Sequence, residues 1–153
     1  MSALEHRIPP PAVAALVAAG MWSVAGYGPR LSYAPGPARW VGAALTVAGI
    51  GTALAGVVAF RRSQTTVNPL QPERASALVT GGVYRVTRNP MYVGMALLLA
   101  GWAVSLTAVL PFAGVAVFVL FITRFQIVPE ERVLVRLFGD EFVAYSARVR
   151  RWL

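Results

Sequence analysis

The residues with the most chemical potential lie in two stretches far apart in the chain. The first, 78–94, reads Leu78, Val79, Thr80, Gly81, Gly82, Val83, Tyr84, Arg85, Val86, Thr87, Arg88, Asn89, Pro90, Met91, Tyr92, Val93 and Gly94. The second sets Arg124 ahead of Pro129 and two consecutive acids, Glu130 and Glu131, with Arg132 behind them. Arginine can orient a carboxylate through parallel N–H bonds, and a carboxyl group can complement a cation or accept a proton. Each piece also has a structural explanation. Asn89 followed by Pro90 is a favoured helix start, and Pro129 with two acids after it is another. Arg85 and Arg88 could anchor topology, and Tyr84 and Tyr92 could sit in an aromatic belt. What these explanations omit is why acids and arginines from separate segments meet at one end of a chain nearly free of charge elsewhere. Ionisable groups at the edge of a membrane are costly and are functional candidates by default. The chain has no cysteine, and His6 is its one histidine. Thiol catalysis, a histidine triad and a metal site are therefore excluded as expectations.

The elements that must position these residues are apolar. Of 153 residues, 57% are apolar and 13% charged, half the usual soluble share. The apolar residues come in long blocks, which predicts helices facing lipid on all sides, an all-α integral membrane protein of about four transmembrane helices in a single domain. The spans fall at about 12–27, 40–60, 91–107 and 108–124, with the last two forming a hairpin that bends near Ser105 to Pro111. A loop, 61–90, and an amphipathic tail, 125–153, complete the chain; the tail is expected to lie along the membrane surface or fold over the site. Pro29, Pro35, Gly36 and Pro37 predict a non-helical connection over 28–39. The first block is read as a retained helix, because more membrane-like sequence comes after it where a cleaved signal peptide would give way to a polar domain. Gly42, Gly49 and Gly56 recur every seventh residue and make one stripe where a neighbouring helix can approach closely.

All fourteen basic residues are arginine, and the formal charge is +8. With four spans, Arg7, Arg61, Arg62, Arg74, Arg85, Arg88 and the six from Arg124 to Arg151 share one side, against Arg30 and Arg39 on the other. That asymmetry predicts cytoplasmic termini, loop and tail, and an inner (plasma) membrane location. Arginines bordering apolar blocks meet lipid headgroups, so nucleic acid is not an expected partner.

Together, the run 78–94, the apolar hairpin, Glu130 and Glu131, then Phe138, Gly139, Phe142, Tyr145 and the closing Arg150, Arg151 and Trp152 resemble the isoprenylcysteine carboxyl methyltransferase family and its phospholipid N-methyltransferase relatives. The resemblance extends from about Asn68 to Leu153. It implies a membrane enzyme that binds S-adenosylmethionine at the cytoplasmic end of its last helices and admits a lipophilic acceptor from the bilayer. By that similarity the backbone from Leu78 and Val79 through Gly81 and Gly82, with Tyr84, Arg88, Asn89, Pro90 and Tyr92, would hold the cofactor. Glu130 and Glu131 would close the pocket. Eukaryotic members carry histidine where this chain has Asn89, and asparagine cannot titrate near neutrality. Their arginine upstream of the paired acids is matched approximately, by Arg124.

Methyl transfer from a sulfonium is an in-line displacement that can rest on positioning and water exclusion. An isoprenylcysteine-like carboxylate, the expected acceptor, is already ionised and needs no base. Arg124 could orient it and Glu130 could complement the sulfonium. A phospholipid or small-molecule amine or thiol would need Glu130 or Glu131 to accept a proton. From another class, a non-enzymatic four-helix transporter or assembly protein remains open. A transporter should carry an ionisable residue inside a span, and the apolar blocks hold none.

Overall fold

The computed structural model describes residues 8–33, 35–63 and 77–153. Glu5, His6 and Arg7, and the loop residues Asn68, Pro69, Gln71, Pro72, Glu73 and Arg74, lie outside them. The described residues form helices α1 (Pro10–Val24), α2 (Pro35–Arg62), α3 (Pro90–Ser105), α4 (Pro111–Ile122) and α5 (Val128–Arg148). A short 3-10 turn, Gly82–Arg85, precedes α3, and a π-helical turn, Thr123–Ile127, carries α4 into α5 without a break.

Proline opens α1, α2, α3 and α4. Its fixed φ suits the first helical turn, and the N–H it lacks would have had no intrahelical acceptor there. The same property corrects the expected non-helical stretch 28–39: α2 starts at Pro35, so Pro35 and Pro37 belong to its first turn. The expected hairpin bend is where α3 ends and α4 begins, between Ser105 and Pro111.

The heptad glycines of α2 seat α3 against it, antiparallel. A Cβ at Gly42 would lie 3.4 Å from the Gly101 carbonyl oxygen, one at Gly49 would lie 2.7 Å from that of Gly94, and Gly56 abuts Pro90 and Met91. Backbone approach this close needs glycine on both helices, the usual device where lipid removes the hydrophobic drive for helix association. Helix α1 runs beside α4: Met21 packs over Gly114, and Gln126 Nε2 donates to the Ile8 carbonyl at 2.8 Å. Val13, Met21, Tyr92, Leu99, Phe118, Ile122 and Ile127, from α1, α3, α4 and the π-helical turn, form the core. Trp40, Val47, Leu54 and Leu120 point outward, 77%, 69%, 59% and 69% exposed.

Among the described residues two helical stretches, Gly36–Arg62 and Pro111–Arg148, are long and apolar enough to cross a membrane, while α1 and α3 are shorter apolar helices. At about 1.5 Å per residue α3 is roughly 24 Å long, short of the ~30 Å hydrocarbon thickness. In the second stretch α5 alone holds seven charged residues. Any membrane-crossing part of that rod therefore lies in its apolar first half, ahead of Glu130 and Glu131. The amphipathic helix continues α4 instead of standing apart from it. It bends at Gly139, whose φ of 49° and ψ of −125° break the helix in a region open to glycine. After α5 the strap 149–153 folds back across the start of α3.

Candidate active site

The site is built where three segments meet: the turn before α3, the first turn of α5 and the strap. Asn89 is the N-cap residue of α3, yet its side chain makes no capping bond. Asn89 Nδ2 donates instead to the Arg151 carbonyl at 2.8 Å, and Arg88 N donates to the Arg150 carbonyl at 3.0 Å. Thr87, buried, adds a hydroxyl bond to the same Arg151 oxygen at 3.3 Å. Asn89 thus ties the strap to α3. Asn89→Ala should lower the melting temperature by an amount corresponding to about 1 kcal/mol, the worth of one such bond. Asn89→Asp, an equally good helix cap but no donor, should lose as much in the same thermal-melt measurement. An aspartate that restored wild-type stability would show capping to be the residue's role.

The two adjacent acids have opposite surroundings. Glu131 is held by two arginines: Arg151 grips both carboxylate oxygens, Nε to Oε1 at 3.0 Å and Nη2 to Oε2 at 2.6 Å, and Arg88 Nη2 stands 3.2 Å from Oε1. Glu130 faces inward, and Tyr92 Oη donates to its Oε1 at 2.6 Å. Burial, with the Glu131 charge beside it, outweighs that hydrogen bond and pushes the Glu130 carboxyl up to about 8. A carboxyl poised there holds its proton at neutral pH and releases it to solvent when a cation is brought beside it.

Around Glu130 opens a cavity of about 500 Å³ of empty space, partly continuous with solvent. Leu78, Val79, Tyr84, Arg88, Asn89, Glu130 and Glu131 line it, seven of the expected site residues from both stretches. Tyr92 is buried behind it on Glu130, and Pro90 is buried at the first position of α3. Gly81 borders a separate depression against the end of α2, shared with Gly82, Arg62 and Val79. Arg124 is not among the lining residues; its guanidinium lies 5.5 Å from the Phe125 ring centre.

Phe60, Ala77, Ile127, Leu134, Phe142 and Tyr145 also line the cavity. Ile127 and Leu134 stand three before and four after Glu130, a spacing that shares one helix face, so helical periodicity could have found them. Phe60 comes from α2 and meets the Tyr84 ring edge-on at 5.3 Å, a contact no spacing announces. Tyr145 Oη donates to the Tyr84 carbonyl at 2.7 Å. Burial pushes the Tyr145 phenol up to about 12 and raises that of Tyr84 as well, so both stay protonated donors. Tyr84 Oη and Arg88 Nε are buried with no hydrogen-bond partner among the described residues. Two unmatched donors on the wall of a cavity are what a bound ligand would satisfy.

Apolar helices with outward-facing hydrophobic side chains, and a largely apolar cavity edged by Arg88, Glu130 and Glu131 where loop, helix and strap converge, define the class: an all-helical protein of membrane type with a candidate ligand site. Within it, the chain belongs to the phospholipid methyltransferase family, whose model matches residues 37–141. Among curated proteins it is 34% identical over 119 residues to a probable protein-S-isoprenylcysteine O-methyltransferase of Oryza sativa subsp. japonica, covering 74% of this chain and 60% of that one. It is 33% identical over 96 residues to protein-S-isoprenylcysteine O-methyltransferase B of Arabidopsis thaliana, covering 61% and 47%. An uncharacterized protein of Haemophilus influenzae is 44% identical over 63 residues, 41% of this chain and all of that one. The chain spans about half the length of the plant relatives it matches. No solved structure matches at comparable significance.

Proposed function

We propose that this protein transfers a methyl group from S-adenosylmethionine to a lipophilic acceptor reached from the bilayer. The observation that carries this is the cavity wall's polar set: Arg88 Nε and Tyr84 Oη, donors without a partner among the described residues, and the Glu130 carboxyl, with no cation paired to it among them. A zwitterionic, sulfonium-bearing nucleoside presents the complementary groups, a carboxylate, hydroxyl or ring acceptors, and cations. The cofactor would supply an electrophilic methyl group. Arg88 would take its carboxylate, Tyr84 a nucleoside acceptor, and Glu130 its positive charge, with Leu78, Val79, Gly81, Asn89, Pro90 and Tyr92 shaping the walls. Glu131, occupied by Arg151 and Arg88, would help to close the pocket without meeting the cofactor.

The names of the plant relatives favour an isoprenylcysteine-like carboxylate as acceptor. Such a group is ionised at pH 7, so the chain need only position it and exclude water, and Arg124, three residues before the cavity residue Ile127, is assigned to orient it. The family model favours a second reading, a phospholipid amine or a small-molecule amine or thiol, in which Glu130 would accept the acceptor's proton. The transporter or assembly reading gains no support from a family and relatives named for methyl transfer. The arginine-rich end that carries the site would face the cytoplasm, placing both termini there in an inner membrane, with four spans near 12–27, 40–60, 91–107 and 108–124.

Titration calorimetry in lipid nanodiscs with S-adenosylhomocysteine tests the cofactor; a folded wild-type protein that binds none would overturn the reading. The pH dependence sharpens the test. The cofactor's cations should expel the proton that Glu130 holds below about 8. Affinity for S-adenosylmethionine is expected to rise with pH, by up to about tenfold per unit, and to level off above 8. Buffers of different ionisation enthalpy should register about one proton released at pH 7. Glu130→Gln should abolish that release.

A further inference from the structure

We infer that Arg151 is a positioning residue of the cofactor site: by occupying both oxygens of the Glu131 carboxylate, it keeps Arg88 Nε free for the ligand's carboxylate. The inference rests on the S-adenosylmethionine reading above. An arginine meeting a carboxylate with full strength uses two parallel N–H bonds, commonly Nε with one Nη. Arg151 makes that fork with Glu131, at 3.0 and 2.6 Å, while Arg88 is left one edge contact, Nη2 to Oε1 at 3.2 Å. The Nε of Arg88 stays buried and unmatched as a result. Phe142 lies 5.8 Å under the Arg88 guanidinium and limits where that group can swing.

Without the Arg151 fork, both Glu131 oxygens open toward Arg88, whose guanidinium is already beside them. Arg88 would then turn Nε onto Glu131, and the cavity would lose the donor it offers. Arg151 does not line the cavity, so its effect on a ligand is indirect. The register of the strap does not depend on its side chain. Main-chain carbonyls of Arg150 and Arg151 take the bonds from Arg88, Thr87 and Asn89, and Trp152 Nε1 donates to Thr123 Oγ1 at 3.0 Å.

The experiment compares two ligands by titration calorimetry in nanodiscs. S-adenosylhomocysteine carries the amino-acid carboxylate, and 5′-methylthioadenosine lacks it. Arg151→Gln should weaken S-adenosylhomocysteine about tenfold, the scale of one hydrogen bond to a charged group, and leave 5′-methylthioadenosine unchanged. Adding Glu131→Gln to Arg151→Gln should restore much of the lost affinity, because nothing then competes for Arg88. Equal weakening of both ligands, no weakening of either, or a double variant no better than the single would overturn the inference while leaving the cofactor reading intact. A wild type that binds neither ligand removes the cofactor reading and the inference with it.

Discussion

Glu130→Gln is expected to weaken S-adenosylmethionine binding by about a hundredfold while leaving the free protein at least as stable as wild type. The two effects separate because the carboxyl is turned inward with no cation paired to it among the described residues. The substituted amide keeps an oxygen to accept from Tyr92, and it cannot ionise. In the free wild type the folded carboxyl titrates at about 8, against an ordinary value of 4.5, so the fold holds its proton more tightly than the unfolded chain does. Stability from this group is therefore greatest below 4.5, falls as pH rises between 4.5 and 8, and is level above 8. The advantage of Glu130→Gln in thermal melts should grow through that window and then stay constant. In the proposed complex the carboxylate would balance the cofactor's positive charge, and an amide would not. Calorimetry at pH 8.5 would show the loss. Wild-type affinity in a well-folded Glu130→Gln variant would remove Glu130 from the cofactor's cations.

The second large effect is on assembly of the bundle. Gly94→Val should leave α3 unable to seat on α2. Even the first carbon of a side chain there would lie 2.6 Å from the Gly49 carbonyl oxygen and 2.8 Å from Ala53 Cβ, contacts that only a shift of one helix can relieve. Overpacking of this kind costs about 1–3 kcal/mol where side chains can yield, and more where backbone must move. Because α3 begins at Asn89 and Pro90, the same shift would displace the cavity wall. The expected outcome is a protein that elutes as aggregate in detergent and binds no S-adenosylhomocysteine. Gly51→Val is the matched control: it lies on the partner helix α2 with nothing within 4 Å and should behave as wild type. Equivalent behaviour of the two variants would show that the glycine contact does not hold α2 to α3.

Much of the fold was legible because lipid-facing helices obey one-dimensional rules. The apolar blocks, the bend after Ser105 and the glycine heptad depend only on residue type and helical period, and the helices and the α2–α3 contact conform to them. The start of α2 was misread because proline both ends helices and begins them. Its role at Pro35 is set by the residues downstream, an unbroken apolar run from Trp40. The amphipathic segment was foreseen, but not that it continues α4 through Thr123–Ile127. A π turn has no composition of its own.

The sequence by itself determined the chemistry available: no thiol, one histidine, arginine as the sole basic side chain, and two stretches with the polar groups of a ligand site. Their common end of the bundle was determined as well, since charges bordering apolar blocks can lie only at an interface. Only the tertiary structure decided which acid does what. Glu130 and Glu131 are neighbours with the same side chain, and no local signal distinguishes them. Their helix turns one toward Tyr92 and the buried cavity, and the other toward Arg88 and an arginine twenty residues further along. A carboxyl's charge, partners and proton are set by the burial and the cations that distant segments bring to it, and those are properties of the packed chain alone.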